Sequence, residues 1–442
     1  MAKEHFGTKI GVVLATAGSA VGLGNIWRFP TTAGENGGAA FILVYLVFAL
    51  MLGVPGMMSE FIVGRHGKSN PVRAYRKSGG RKFGFIGVMG LIGGSIILGF
   101  YSVVAGWCVY YLYAAIGDEV LGSKQEIAAR FTDFSTGALA PVVMAFLFIL
   151  LTHMIVVRGV QRGIEKASKI MMPLLFLLLV LLIGISCSLP GAWRGLEFLF
   201  MPDFSKITSK VAFEALGQAF FSISLGTACL CTYASYFTKE QNLLKTSVQI
   251  VGIDMLVAVL AGMMIFPAAF SVGVEPDAGP SLIFITLPSV FTLAFPHSVA
   301  YVVSIIFFAL LSLAALTSTI SMHEIGTSVL TEELHLSRGK SATVITILCT
   351  VIGALSALSL GALPMGVLGS TLFDNFDTLT SDIMLPLGAL LTTILVGWFM
   401  PRRTVIRQLT SGGRYHWSAW QINVFFFLVR IVCPLCIFVI LV

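Results

Sequence analysis

The sequence predicts an all-α polytopic membrane protein of about eleven transmembrane helices, built as a 5+5 inverted repeat with two broken spans. Three observations carry this. The chain of 442 residues is 57% hydrophobic and only 11% charged, where a soluble domain carries roughly 25% charged residues. Apolar runs of the length a bilayer requires, about 20 residues, recur along the whole chain. Two of them, the first and the sixth, are interrupted by glycine and hydroxyl residues at corresponding places.

The runs fall at residues 10–35, 38–65, 84–116, 138–157, 166–187, 212–236, 246–272, 297–330, 341–359, 371–399 and 420–441. Lys and Arg alternate between the connections. One side holds Lys3 and Lys9, the seven basic residues from Arg65 to Lys82, Arg158 to Lys169, Lys239, Lys245, Arg338, Lys340 and Arg402 to Arg414. The other side holds Asp118, Glu119, Glu126, Asp133, Glu275, Asp277, Asp374 and Asp377 with few basic residues. The excess of positive charge on the cytoplasmic side of membrane proteins then places the N-terminus inside and, with an odd count, the C-terminus outside. A bacterial inner membrane is the expected location. The first apolar run lacks a small-residue cleavage site and leads into further spans, so no cleaved leader is expected.

The first span contains GSAVGLGNIWRFP, Gly18 to Pro30. Backbone N–H and C=O groups in hydrocarbon need partners, so a broken helix persists only when buried in protein or lining a cavity. The sixth span breaks at Ser222-Ile223-Ser224-Leu225-Gly226-Thr227. These spans open two successive five-span units, 10–187 and 212–399, within one transporter domain over 1–442; span 420–441 falls outside them. Five is odd, so the second unit enters from the opposite side, as in secondary transporters with paired broken helices. The loop 273–296 has too much Pro and Gly for a span. Its Ile-Phe-Ile-Thr-Leu run is too apolar for water, so it reads as a lid of one or two short helices.

Several function classes are excluded or disfavoured. The net charge of +7 lies in short loops between spans and is no nucleic-acid footprint. The seven cysteines sit in apolar segments and read as buried free thiols. The seven histidines show no HExxH-like spacing and no nucleophile–base arrangement appears, so an enzyme, with catalytic residues or a catalytic metal, is not expected. A channel would show rings of like charge or a repeated filter loop. Neither feature appears, and a channel and a transporter-like amino acid sensor are the alternatives to a symporter.

GSAVGLGNIWRFP followed by ENGGAAF (35–41), with GQAFFSISLG, TYASY, IFPAAF (265–270), LTS (316–318) and RGVQRGIEKASKIMMP (158–173), resembles the neurotransmitter:sodium symporter family in its eleven-span bacterial branch. The likeness covers nearly the whole chain. A bacterial leucine transporter of this family is itself the type case for broken helices in inverted repeats, so the architectural expectation is not independent of it.

The resemblance implies sodium-coupled import of an L-amino acid by alternating access, with two sodium ions bound by oxygen ligands. The first site takes Ala20, Asn25, Ser222 and Asp254, completed by the substrate carboxylate. The second takes Gly18, Val21, Ala314, Thr317 and Ser318. The bland alternative for Thr317 and Ser318 is back-bonding to their own helix. The substrate carboxylate is expected at the amides of Leu23 and Gly24, since a helix N-terminus favours anions, and at the Tyr101 hydroxyl. Its amino group is expected near Ala20 and Phe221, and its side chain among Ile97, Phe221, Ser222, Ser224, Thr227, Ser318 and Met322. Monoamine-carrying members have an aspartate at Gly24, so a glycine points to amino acids. Thr227 replaces an aromatic residue of the leucine transporter, which enlarges the pocket toward apolar or aromatic substrates.

Asp254 lies in VGIDMLVAVLAG, where a mid-membrane charge costs about 2.5–3.5 kcal/mol on insertion scales. Chloride-binding relatives have a serine where this chain has Ala258, so Asp254 is expected to supply the compensating charge and transport to be chloride-independent. The alternative is an Asp neutralised by a buried partner. Arg28 and Asp377 are the expected outer gate above Phe221, and Lys3 with Glu332 the inner one, beside Phe6 where the family has Trp. Glu60 is expected to cap amides of the first break. Gly163 and Pro173 match a family motif linked to unwinding, although such a pair also simply kinks helices.

Overall fold

The computed structural model describes residues 4–273, 281–363, 365–367 and 369–441, and among these every regular element is helical. The chain runs α1 (Lys9–Ala20), α2 (Gly24–Glu35), α3 (Ala39–Gly67), α4 (Arg81–Ile116), α5 (Lys124–Ser135), α6 (Ala140–Val156) and α7 (Val160–Cys187). It continues with α8 (Ser209–Ser222), α9 (Cys229–Ser235), α10 (Leu243–Ser271), α11 (Leu282–Ala294), α12 (His297–Glu333), α13 (Arg338–Ser359), α14 (Leu372–Phe399) and α15 (Ala419–Leu441), with three short unnumbered helices, Pro71–Gly79, Ala192–Phe200 and Arg402–Leu409, in the connections.

Eight of these helices are long and apolar enough to cross a membrane unaided, and two bent pairs, α1/α2 at 56° and α5/α6 at 74°, raise the number to ten. The difference from about eleven lies in the sixth span. There the run at 212–236 is two helices of 14 and 7 residues, each short of the ~20 a crossing needs. The span at 138–157 is α6 alone. The polar α5 before it is closed by a capping box, in which Ser123 Oγ accepts from Glu126 N–H and Glu126 Oε2 accepts from Ser123 N–H at 2.9 Å.

The outer shell suits lipid. Leu177, Val180 and Leu181 of α7 and Leu435 and Phe438 of α15 are exposed. With no hydrophobic drive between helices in a bilayer, close packing of small residues takes over. A Cβ on Gly106 of α4 would lie 2.6 Å from the Ala145 amide of α6, so α4 and α6 touch backbone to backbone. Many spans carry one π-helical turn, among them Gly24–Arg28, Ala49–Gly53, Val160–Glu165 and Thr378–Met384, a feature frequent at functional sites. In α7 the π turn passes directly into a helix that continues through Pro173. A Cβ on Gly163 would meet the Ile155 carbonyl oxygen at 2.1 Å, so that glycine is required by packing. The expected lid contains one helix, α11, with Leu282, Ile283, Phe284 and Leu287 buried; residues 274–280 lie outside the described residues. All seven cysteines are free thiols, five of them buried.

Candidate functional site

The site is made where the two broken spans meet. After α1, Val21 turns extended (φ −71°, ψ 114°), and the chain re-enters helix at Gly24. Gly22 N–H donates to Asn25 Oδ1 at 3.0 Å, and Leu23 N–H donates to Tyr101 Oη at 3.1 Å. Glycine is needed at position 22, because a Cβ there would stand 2.6 Å from Ser318 Oγ and 3.1 Å from Tyr101 Oη.

The second break is more contorted. Ser224, Gly226 and Ala228 all have positive φ, at 56°, 85° and 63°, a conformation that costs a non-glycine residue about 1–2 kcal/mol. Gly226 has no alternative, since a Cβ would sit 2.0 Å from the Leu385 carbonyl oxygen. Buried Glu60 holds the segment. Its Oε1 accepts from Gly226 N–H at 2.7 Å and its Oε2 from Cys231 N–H at 3.2 Å. This corrects the expectation that Glu60 serves the first break. The reason is a face of α3 with Gly56, Glu60 and Gly64 one turn apart. Added Cβ atoms would lie 2.8 Å from Leu225 Cδ1 at Gly56 and 2.0 Å from the Cys231 carbonyl oxygen at Gly64. The two bare positions let α3 close on the second break and deliver the carboxylate between them.

Three of the four residues expected at the first sodium site form one buried cluster. Asn25 Nδ2 donates to Asp254 Oδ1 at 2.7 Å, to the Asp254 carbonyl at 3.2 Å and to Ser222 Oγ at 3.1 Å. Ser222 Oγ donates to Asp254 Oδ2 at 2.7 Å, and Tyr45 Oη donates to the same oxygen at 3.3 Å. Ala20 lines the cavity beside Asn25. Sequence reasoning missed Tyr45, whose only signal was a lone hydroxyl in AAFILVYLVF. It also missed Gln218, one turn before Ser222, whose buried amide has no hydrogen-bond partner among the described residues. At the second expected site, Thr317 Oγ1 donates to the Ala314 carbonyl at 2.8 Å and to the Val21 carbonyl at 3.2 Å. Ser318 Oγ also reaches the Val21 carbonyl at 3.2 Å. A Cβ on Gly18 would lie 3.2 Å from Thr317 Cβ.

Between these clusters lies a cavity of about 80 Å³, small beside the ~300–1,000 Å³ of ordinary ligand pockets. Ala20, Gly24, Ile97, Tyr101, Phe221, Ser222, Ser224, Thr227, Ser318 and Met322 all line it, as do Asn25 and Asp377. Leu23 does not, and its amide, expected to face the cavity, is bonded to the Tyr101 hydroxyl, the other group expected to hold a carboxylate. The space beside Gly24 is not open either. A Cβ there would stand 2.8 Å from Phe221 Cε1, so the phenyl edge fills the place of the missing side chain.

Above the cavity the Arg28 guanidinium stacks on the Phe221 ring, 4.2 Å from its centroid. Asp377 accepts from Ser381 Oγ at 2.7 Å, and the acid sharing a cleft of about 130 Å³ with Arg28 is Asp382. Among the described residues Arg28 makes no ion pair within 4.0 Å, so the expected Arg28–Asp377 contact is not closed directly in this conformation. At the other end Lys3 lies outside the described residues. Glu332 accepts from the Asn70 N–H at 2.7 Å and from Asn70 Nδ2 at 3.2 Å, on the wall of a vestibule of about 570 Å³. The tight ion pair there is Arg338–Glu324 at 2.5 Å, joined by Tyr236 Oη on Glu324 at 2.6 Å and by Glu4 at 3.8 Å from Arg338. Phe6 is buried against the edges of Tyr233 and Tyr236.

The model of the sodium:neurotransmitter symporter family matches residues 3–125 and 132–442. The chain belongs to that family. Its sequence relatives include the uncharacterized sodium-dependent transporter YhdH of Bacillus subtilis, 36% identical over 442 residues that cover 99% of this chain and 96% of the relative. An uncharacterized sodium-dependent transporter of Haemophilus influenzae is 34% identical over 453 residues, covering 99% and 97%. Among solved structures, MhsT in complex with L-phenylalanine superposes with a TM-score of 0.89 at 37% identity, covering 99% of both chains. The chain is thus a multi-pass membrane protein of a sodium-dependent transporter family.

Proposed function

We propose that this symporter imports an L-amino acid with an apolar or aromatic side chain, driven by sodium and independent of chloride, by alternating access. The observation that carries the reading is the pair of oxygen clusters flanking one cavity between two broken helices. A sodium ion takes hard oxygen ligands, which unwound backbone and hydroxyls supply. The first ion is assigned to Ala20, Asn25, Ser222 and Asp254, with Asn25 turned about its last bond so that its oxygen joins the set. The second is assigned to Gly18, Val21, Ala314, Thr317 and Ser318, whose hydroxyls now donate to the very carbonyls they would join as ligands.

The substrate carboxylate is assigned to the amides of Leu23 and Gly24 and the Tyr101 hydroxyl, where the Leu23–Tyr101 bond holds donor and hydroxyl ready. Coupling follows if that carboxylate also touches the first sodium, because each ligand then raises the affinity for the other. The cavity admits a side chain only when the Phe221 ring swings, so substrate entry also disturbs Arg28. Arg28 with Asp377, and Lys3 with Glu332, are assigned as alternating gates, the inner one backed by Arg338–Glu324.

Chloride independence is supported at Asp254 Oδ2. That oxygen receives the hydroxyls of both Ser222 and Tyr45, two donors that would otherwise be available to a mobile anion. The same reading places the chain in the bacterial plasma membrane with the N-terminus inside, as two inverted units over 10–187 and 212–399 plus the span 420–441.

Uptake of a panel of labelled amino acids into proteoliposomes tests the proposal. Accumulation of an apolar or aromatic amino acid under an inward sodium gradient is expected, unchanged when gluconate replaces chloride. No sodium-dependent uptake of any amino acid would overturn it. Gly24→Ala should push the Phe221 ring aside at about 1–3 kcal/mol of overpacking, weakening apparent substrate affinity about tenfold. Unaltered uptake kinetics in that variant would remove the assigned role of Gly24.

A further inference from the structure

A second cavity, of about 340 Å³, lies between α4, α5 and α6 and shares no lining residue with the central one. It sits at the Ile116 end of α4, far from the Arg81 end, near which Arg76 of the short helix Pro71–Gly79 meets Glu333. Its volume falls within the ~300–1,000 Å³ of small-molecule sites. The floor is apolar and buried, made by Tyr111, Ala114, Val120, Ile127 and Phe134. Tyr110 lies flat on Phe134 with centroids 3.7 Å apart, forming a rigid aromatic wall.

The rim carries charges of both signs. Arg130 and Asp133 stand one turn apart on α5, and Glu119 faces them from the end of the α4 connection. Arg130 donates to the Glu119 carbonyl, which holds its guanidinium over the mouth. Among the described residues none of these three charges is in an ion pair. Opposite charges set side by side over an aromatic floor match one ligand chemistry. A carboxylate or phosphate meets the planar Arg130 fork, an ammonium meets Asp133 and Glu119, and an apolar part lies on the rings.

We propose that this cavity is a modulatory site for a zwitterionic amphiphile. Two sources share that chemistry: a free aromatic amino acid, and the headgroup of an ethanolamine phospholipid, whose chains would run along the exposed Tyr113, Ile116 and Leu139. Occupancy bears on the rest of the protein through aromatic contacts. Tyr111 on the floor packs on Phe284 of α11 at 5.0 Å and on Phe308 of α12 at 5.2 Å. Phe131 of α5 stacks on Phe284 at 5.3 Å and 5°. A ligand that fixes α5 therefore fixes α11, and the coupling is reciprocal.

The test uses the full chain and does not depend on the transport reading. Binding of labelled L-phenylalanine without sodium is measured in nanodiscs of phosphatidylglycerol alone. Retention of phosphatidylethanolamine is measured by native mass spectrometry on protein from discs containing it. At least one ligand should bind wild type, and Arg130→Gln and Asp133→Asn should each weaken it at least tenfold while the unfolding temperature stays unchanged. Sodium-free phenylalanine binding identifies the free amino acid as the source, and lipid retention identifies the headgroup. If Arg130→Gln does not fold, Arg130→Lys, which keeps the charge and loses the fork, replaces it. Wild type binding neither ligand, or folded variants binding like wild type, would overturn the site.

Discussion

Asp254→Ala is expected to lower the apparent sodium affinity about 100- to 4,000-fold, the equivalent of the ~3–5 kcal/mol lost when one partner of a buried charge pair is removed. Two effects combine. The carboxylate that would face the first sodium disappears, and the donors on Asn25, Ser222 and Tyr45 lose their acceptor at once. Asp254→Asn separates them. It keeps one oxygen for the hydroxyls while removing the charge and the acceptor that Asn25 uses, so its residual uptake should become sensitive to chloride, where wild type is not. Sodium titrations of uptake in chloride and gluconate buffers read both. An Asp254→Ala protein with wild-type sodium affinity would remove the aspartate from the ion site altogether.

Glu60→Ala should be the most destabilising change near the site that touches no proposed ligand. Two buried amides, at Gly226 and Cys231, would lose their acceptor, at about 1–3 kcal/mol each. The strained turn through Ser224, Gly226 and Ala228 would lose its clamp in the same step. Glu60→Gln retains one acceptor oxygen and should cost about half as much. Thermal unfolding of the purified protein in detergent gives the ranking: wild type above Gln above Ala, with uptake falling in the same order. Equal unfolding temperatures for all three would show that the second break holds itself.

Much of this was legible in the residues, for a reason particular to membranes. Glycine, asparagine and serine in the middle of an apolar run are costly unless buried in protein or lining a cavity, so Gly18 to Pro30 and Ser222 to Thr227 announced themselves. Thr317 and Ser318 were legible on the same ground, once the break opposite them was known. What escaped was the register between helices distant in sequence. Nothing local places Tyr45 opposite Asp254, and nothing near Glu60 says that Gly56 and Gly64 open its face to the second break and not the first. The sixth span is the one that helix length alone does not register, because its apolar run is divided between two short helices on either side of the break. The gates were legible as charges but not as contacts. Asp382 shares the outer cleft with Arg28 while Asp377 lines the central cavity below it, a division set by the placement of α14 that no local sequence signal carries.

The Phe221 ring has its edge in the space a Gly24 side chain would take and its face under Arg28. An inhibitor therefore has two ways to block uptake. One is to fill the central cavity. The other is to settle in the outer cleft on Arg28 and pin the ring from above, never entering the site. A compound of the second kind would reduce the maximal uptake rate without being displaced by excess substrate, and its potency would depend on the aromatic ring at position 221 more than on any other residue that lines the central cavity.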